Sequence, residues 1–116
     1  MNEQKISSKE IQGRGIRFSV DDQGKEVGHA YLYVFTNDFD KEPFGFLEDV
    51  FIDESMRGKG IGTMLMKNLL ERAKTEGCYK IVAGSRHSRP EVHEFYRRLG
   101  FADHGVEFRI DLKPSA

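Results

Sequence analysis

The chain has 116 residues, 38% hydrophobic and 32% charged, with a formal net charge of −1 at pH 7. That length supports a single domain with one core, and the near-neutral balance gives no electrostatic reason to expect nucleic acid or an anionic membrane as a partner. No apolar run approaches the ~20 residues of a membrane span, and the opening stretch from Met1 to Ile11 is polar rather than signal-like. Cys78 is the single cysteine, so no internal disulfide can form and a cytoplasmic location is the default. Its thiol is expected to pack as a small, buried, structural group.

Residues 1–14 are charged and lead into Gly13-Arg14-Gly15, the pattern of a tail ahead of a single domain over 15–116. Ile16, Phe18 and Val20 alternate with Arg17 and Ser19, the period of a half-buried strand. Asp21 to Lys25 is a turn, and Val27 to Phe35 returns as a longer, aromatic-rich strand, predicting a hairpin. After a polar loop to Pro43, Gly45 to Asp53 forms the next strand. Strict alternation puts Phe46, Glu48, Val50 and Ile52 on one face of it, and Leu47, Asp49 and Phe51 on the other.

Arg57-Gly58-Lys59-Gly60-Ile61-Gly62 then opens a helix whose apolar positions are Ile61, Met64, Leu65, Leu69 and Ala73, with charges filling the remainder. Gly77 is its natural stop. Tyr79 to Gly84 is a compact strand, so strand, helix and strand make a βαβ unit with parallel strands. Ser88 and Glu91 have the spacing of a capping box for a second helix carrying Val92, Phe95 and Leu99 on one face and ending at Gly100. Val106, Phe108, Ile110 and Leu112 alternate with Glu107, Arg109 and Asp111 in a predicted closing strand. The expected fold class is α/β with a mixed sheet, α+β in its details: antiparallel strands first, a βαβ unit after them.

The glycine-rich run is the most specific feature. Backbone N–H groups at a helix start lack an intrahelical partner, the helix dipole favours an anion there, and glycines let the main chain approach a phosphate closely. Arg57 and Lys59 add positive charge at the same place. The nucleotide P-loop requires Lys and then Ser or Thr after its last glycine, whereas Gly62 is followed by Thr63-Met64. The dinucleotide fingerprint, counted from Gly58, would need a third glycine at Thr63. Arg-x-x-Gly-x-Gly after a strand is what remains.

With that motif the chain resembles the GNAT superfamily of acyl-CoA-dependent N-acyltransferases. His93-Glu94-Phe95-Tyr96-Arg97-Arg98-Leu99-Gly100-Phe101 is similar to a second segment of that family, Phe-Tyr-x-x-x-Gly-Phe. The resemblance runs from about Ile16 to Leu112, and it implies antiparallel strands followed by a βαβ unit whose parallel strands splay apart. It implies acetyl-CoA as cosubstrate, held by the backbone of Val50, Phe51 and Ile52 at the splay and by Arg57, Gly58, Lys59, Gly60, Ile61, Gly62 and Thr63 around the diphosphate. Amine acetylation requires an uncharged nucleophile, and an alkyl ammonium titrates near ~10.4, so a base is needed. Glu48 is the expected general base, with Asp49 the alternative if the strand faces are assigned the other way. Tyr96 lies one position off the Val92, Phe95, Leu99 row, and the resemblance makes it the general acid for the departing thiolate.

Direct transfer in a ternary complex needs neither a covalent nucleophile nor a metal. His29, His104 and Cys78 have no ligand-like spacing. Two departures stand out. The family's usual asparagine near the start of the last helix falls at Arg89, and the chain before Ile16 is too short for the two N-terminal helices usual in the fold. The acceptor is expected to be a small-molecule or peptide amine; its cleft is then either open, suiting a bulky or peptide-like amine, or completed by a second subunit in a homodimer. Two rivals remain: a non-catalytic CoA-binding module or regulatory subunit, against which Glu48 and Tyr96 together argue, and an acyltransferase using a longer acyl-CoA.

Overall fold

The computed structural model describes residues 3–37, 39, 41–84 and 90–114. They fall into two compact units, one running to Val82 and the other starting at Ala83.

In the first unit, strands β1 (Gly13–Asp22), β2 (Lys25–Phe35) and β3 (Phe44–Ile52) form an antiparallel meander, and helix α1 (Ile61–Thr75) follows. Strand β4 (Ile81–Ala83) adds to β3, giving the order β1-β2-β3-β4. The β1–β2 hairpin closes through Gln23 and Gly24, with φ of 52° and 82°. Two left-handed residues are what a tight two-residue hairpin turn requires, because that geometry matches the twist of the strands it joins. β1 begins at Gly13, so the predicted tail is two residues too long; residues 3–12 carry neither helix nor strand.

Alternation along β2 sorts the side chains. Ala30, Leu32 and Val34 are buried, while His29, Tyr31 and Tyr33 between them are half-buried on the opposite face. The core joins Val27, Ala30, Leu32, Val34 and Leu47 of the sheet to Leu65, Met66, Leu69 and Ala73 of α1. The sequence expectation placed Met64 on the buried face. Met64 is instead 51% exposed, and Met66, with no exposure, takes its place. The stripe centred on Leu65, Leu69 and Ala73 admits its neighbour at 66, one helical position from 65 and three from 69, and turns 64 outward.

Helix α1 ends as its sequence requires. Gly77 takes φ 84°, its N–H donates to Lys74 O (3.0 Å), and Cys78 N–H donates to Ala73 O (3.0 Å). These are the paired bonds of a Schellman ending, whose left-handed residue carries no Cβ penalty when it is glycine. The chain then joins the sheet: Tyr79 N–H donates to Pro43 O (3.0 Å) and Gly45 N–H to Lys80 O (2.9 Å). Both partners advance together, as in a parallel pairing. Gly45 allows this approach, since a Cβ there would lie 2.9 Å from Leu32 Cδ1 and 3.3 Å from Ile81 Cγ1.

The second unit contains helix α2 (Pro90–Arg98). Proline suits a first helical position, where its missing N–H is no loss. Ser88, the predicted cap, lies outside the described residues, as does Arg89. The predicted closing strand does not form: residues 101–110 have no regular structure. Val106, Phe108, Ile110 and Leu112 are 61%, 90%, 81% and 87% exposed. Alternation gives a segment two chemically different faces, but a strand exists only when its backbone finds a ladder partner.

Candidate active site

Strand β3 carries the first piece of the site. Tyr31 pairs with Glu48, but His29 pairs with Phe51, so β3 has one residue more than β2 over this stretch. Asp49 sits at the irregularity with φ 53°. Aspartate tolerates this left-handed conformation better than most residues, and an extra residue redirects every side chain beyond it. Phe51 therefore joins the His29 side, ring centroids 5.5 Å apart, and Ile52 comes opposite Gly28. The predicted grouping of Phe46, Glu48, Val50 and Ile52 on one face holds as far as Glu48 and inverts by Phe51 and Ile52. Nothing in the alternation of the sequence signals this bulge.

The bulge separates the two carboxylates. Asp49 is engaged: His29 Nε2 donates to its Oδ2 at 3.1 Å, and His29 Nδ1 lies 3.6 Å from Glu26 Oε2. Arg17 clamps Glu26 with two hydrogen bonds of 2.7 and 2.8 Å and donates from Nε to Tyr31 Oη at 3.1 Å. The Arg17 hydrogen bonds hold the Glu26 carboxyl below its ordinary range. Glu48 is exposed and has no hydrogen bond or ion pair among the described residues. It sits across from Tyr31 on a face lined by aromatics: Tyr31 and Tyr33 rings stack at 6.2 Å, Tyr33 and Phe35 at 6.3 Å, and the Arg17 guanidinium lies 5.6 Å from the Tyr31 centroid. Sequence reasoning missed His29 as the residue that holds the bulged Asp49; a lone histidine twenty positions upstream gives no cue to that contact.

The second piece is the loop from β3 to α1. After Ile52 the chain makes a short 3₁₀ turn over Glu54–Met56, and Arg57 reaches back, its Nε donating to Ile52 O at 3.1 Å. Gly58 and Gly60 take φ of 80° and 78°, and a Cβ built on either meets nothing within 4 Å. These glycines thus serve a backbone conformation, and the space over them is open. Gly60 caps α1 without any side-chain bond, and the first intrahelical acceptor, Gly60 O, takes Met64 N–H at 3.0 Å. The amides of Ile61, Gly62 and Thr63 precede that bond and have no helical acceptor. The first turn holds no acidic side chain to compete for them. Arg57, Gly58, Lys59, Gly60 and Thr63 are exposed, Ile61 and Gly62 half-buried. A row of helix-start donors beside two open glycines, flanked by two exposed cations, fits a diphosphate.

Val50 and Ile52 are half-buried and Phe51 is 43% exposed. Strand β4 ends at Ala83, and residues 85–89, which follow Gly84 where the predicted splay would open, lie outside the described residues. Glu48, Val50, Phe51, Ile52 and Arg57 to Thr63 all lie in the first unit; Tyr96 belongs to the second. There α2 ends in another Schellman pair: Gly100, φ 100°, donates to Arg97 O at 3.0 Å and Phe101 N–H to Tyr96 O at 3.0 Å. The Tyr96 and Phe101 rings meet edge-on at 5.2 Å. This contact commonly accompanies such an ending, so the Phe-Tyr-x-x-x-Gly-Phe spacing acts as a helix stop that fixes the tyrosine ring.

Cys78 is half-buried, and desolvation raises its thiol above the ordinary value, which suits packing and not nucleophilic attack. Among the described residues no group of three or more His, Cys, Asp or Glu is placed to hold a metal ion. No described helix is long and apolar enough to cross a membrane.

Residues 3–101 match the model of the acetyltransferase (GNAT) family, whose members use an acyl-CoA cosubstrate. The chain is 39% identical over 93 residues to glucosamine 6-phosphate N-acetyltransferase of Trypanosoma brucei brucei, covering 77% of this chain and 59% of that protein. It is 30% identical over 98 residues to aminoglycoside N(6')-acetyltransferase type 1 of Stenotrophomonas maltophilia, covering 80% and 64% respectively. The chain thus spans less than two thirds of the length of either relative. Among solved structures, a putative acetyltransferase from Agrobacterium tumefaciens superposes with a TM-score of 0.79 at 31% identity, covering 84% of this chain and 68% of that one. On the family match over most of its length and the shared fold, this chain belongs to the GNAT acetyltransferase family.

Proposed function

We propose that the protein is an N-acetyltransferase that moves an acetyl group from acetyl-CoA to a primary amine by direct transfer in a ternary complex. The observation that carries this reading is the open helix start between Arg57 and Thr63, with its left-handed glycines and unpaired amides. Acetyl-CoA supplies an acetyl thioester activated toward amines. Ile61, Gly62 and Thr63 amides, with Arg57 and Lys59, are the groups assigned to its diphosphate, and the Val50 to Ile52 backbone to the arm beyond it.

Glu48 is the assigned proton acceptor. Its carboxylate is solvent-accessible and unengaged, whereas Asp49 is held by His29. An ammonium acceptor loses a proton to Glu48, directly or through water, and its freed lone pair attacks the acetyl carbon. Tyr96 is assigned as the acid that protonates the leaving sulfur, on the strength of its motif. The acceptor class we assign is an amine borne on a sugar ring. Both relatives described above are named for such amines, and an aromatic face beside a carboxylate suits a cationic group on a flat, partly apolar body.

Free-thiol release from acetyl-CoA, screened across a panel of amines, tests the reading. Turnover with amino sugars above that with polyamines, amino acids and peptides is the expected result. Binding of acetyl-CoA without thiol release for any amine would make the chain a non-catalytic coenzyme-binding module instead.

A further inference from the structure

His29 takes no step in the reaction, yet its ring touches both sides of the irregularity in β3. Nε2 lies 3.1 Å from Asp49 Oδ2, and because a carboxylate can only accept, that nitrogen carries the proton. The ring centroid is 5.5 Å from that of Phe51, beyond the extra residue, and 5.8 Å from that of Tyr31, which pairs with Glu48 ahead of it. Nδ1 faces Glu26 Oε2 at 3.6 Å, and Arg17 grips Glu26 from β1. Arg17, Glu26, His29 and Asp49 thus form one chain of polar contacts across three strands.

The Asp49 side chain is 63% exposed, so packing does not account for its φ of 53°. A left-handed residue other than glycine persists only where its surroundings impose that conformation. Among the described residues, Asp49 has no side-chain hydrogen bond or ion pair except to His29. Two contacts further along fit only the bulged register. Gly28 takes Ile52 opposite it, where a Cβ would lie 2.8 Å from Ile52 Cδ1, and Asp53 N–H donates to Val27 O at 2.8 Å. Regular pairing continued from Tyr31 and Glu48 would instead set Val50 opposite His29 and Phe51 opposite Gly28. The strand end would then slip by one residue, about 3.4 Å, and turn its side chains over.

We propose that His29 is a positioning residue: through Asp49 it holds the extra residue in β3, and so sets the Val50 to Ile52 backbone against the Glu48 carboxylate. Glu48 is fixed ahead of the bulge by its pairing with Tyr31. Helix α1 shares its core with Leu32, Val34 and Leu47, all on the Glu48 side of the bulge. The His29 bond therefore governs the stretch between the proton acceptor and the diphosphate cradle. Its kinetic consequence rests on the proposed acetyl transfer; its effect on register does not.

Two variants at position 29 separate the bond from the bulk. H29F keeps a ring against Phe51 but cannot donate, whereas H29Q donates from its side-chain amide. Cross-strand backbone NOEs in labelled protein should pair 29 with 51 and 28 with 52 in wild type and H29Q. In H29F they should move to 29 with 50 and 28 with 51. H29F/D49G should regain the wild-type pattern, because glycine takes φ 53° with no bond to hold it. Turnover should follow the register: kcat about a hundredfold lower in H29F, and within about threefold of wild type in H29Q and H29F/D49G. The dissociation constant for coenzyme A should stay within about threefold throughout, a split that general destabilisation would not produce. D49V, a β-branched residue unsuited to positive φ, should reproduce the H29F pattern and serves if H29F does not fold. Wild-type NOEs in H29F or D49V, a changed register with kcat intact, or H29Q as impaired as H29F would each overturn the proposal. A wild type that transfers no acetyl group would sink the proposed reaction and leave the NOEs to decide the role of His29.

Discussion

At the residue scale the proposed chemistry falls to Tyr96 and Glu48, which differ in how much of their assigned role the sequence exposes. For Tyr96 the spacing to Gly100 and Phe101 has a physical reason: it ends a helix with the tyrosine ring packed against a phenylalanine. Replacing Tyr96 by Phe keeps that packing and removes only the hydroxyl. Turnover should fall about a hundredfold, in the range typical for loss of a general acid, while acetyl-CoA affinity measured by calorimetry stays within about twofold. Equal losses in both would make the hydroxyl a binding group. Glu48 was legible as a mid-strand carboxylate, but its separation from Asp49 was not, because it depends on a bulge that no periodicity announces. Glu48→Gln should depress kcat/KM most near neutral pH and progressively less as the acceptor amine titrates to its free form. A pH–rate profile that merely scales down, with unchanged shape, would remove Glu48 as the base.

Elements differ in the same way. Helix α1 and its glycine-rich entry were readable because each signal is local: alternate glycines, an amphipathic stripe and a stop at Gly77. The error at Met64 reflects a stripe wide enough to accept either neighbour of Leu65. The closing strand failed as a local reading for the opposite reason, since alternation is necessary for a strand but pairing is decided by another segment. Two substitutions separate the helix as coenzyme site from the helix as scaffold. Gly60→Val forces a β-branched residue into φ 78°. That strain should cost ~1–2 kcal/mol of stability, and displacing the α1 amides should weaken acetyl-CoA binding by about tenfold or more. Leu69→Ala, on the buried face, should cost ~2–5 kcal/mol and leave the affinity of the folded protein unchanged. Chemical denaturation paired with calorimetry on both variants distinguishes them; equal binding defects would mean that the glycines serve the helix alone.

Across the whole molecule, a net charge of −1 gave no reason to expect nucleic acid or an anionic membrane, and the fold was read from its motifs. Two exposed ion pairs shape its acid response. Hydrogen bonds from Arg17 hold Glu26, and those from Arg97 hold Asp103, below the ordinary carboxylate range. Both groups bind protons less readily folded than unfolded, so their stabilisation is full above the unfolded values, about 4, and is lost as pH falls through the folded ones. Arg17→Met should therefore lower the melting temperature near neutral pH and flatten its decline on acidification. A parallel shift of the wild-type curve at all pH values would assign the loss to packing alone.

The proposed activity requires main-chain donors at the start of α1 to engage the diphosphate of coenzyme A, and amide-resolved NMR reads those donors directly. Titrating ¹⁵N-labelled protein with coenzyme A should move the amide resonances of Gly58, Gly60, Ile61, Gly62 and Thr63 most strongly. Pantetheine, which lacks the diphosphate, should leave those five in place while perturbing Val50 to Ile52. If coenzyme A saturates the protein and the Gly58 to Thr63 amides stay still, the cradle is not the binding site and the proposed activity loses its foundation.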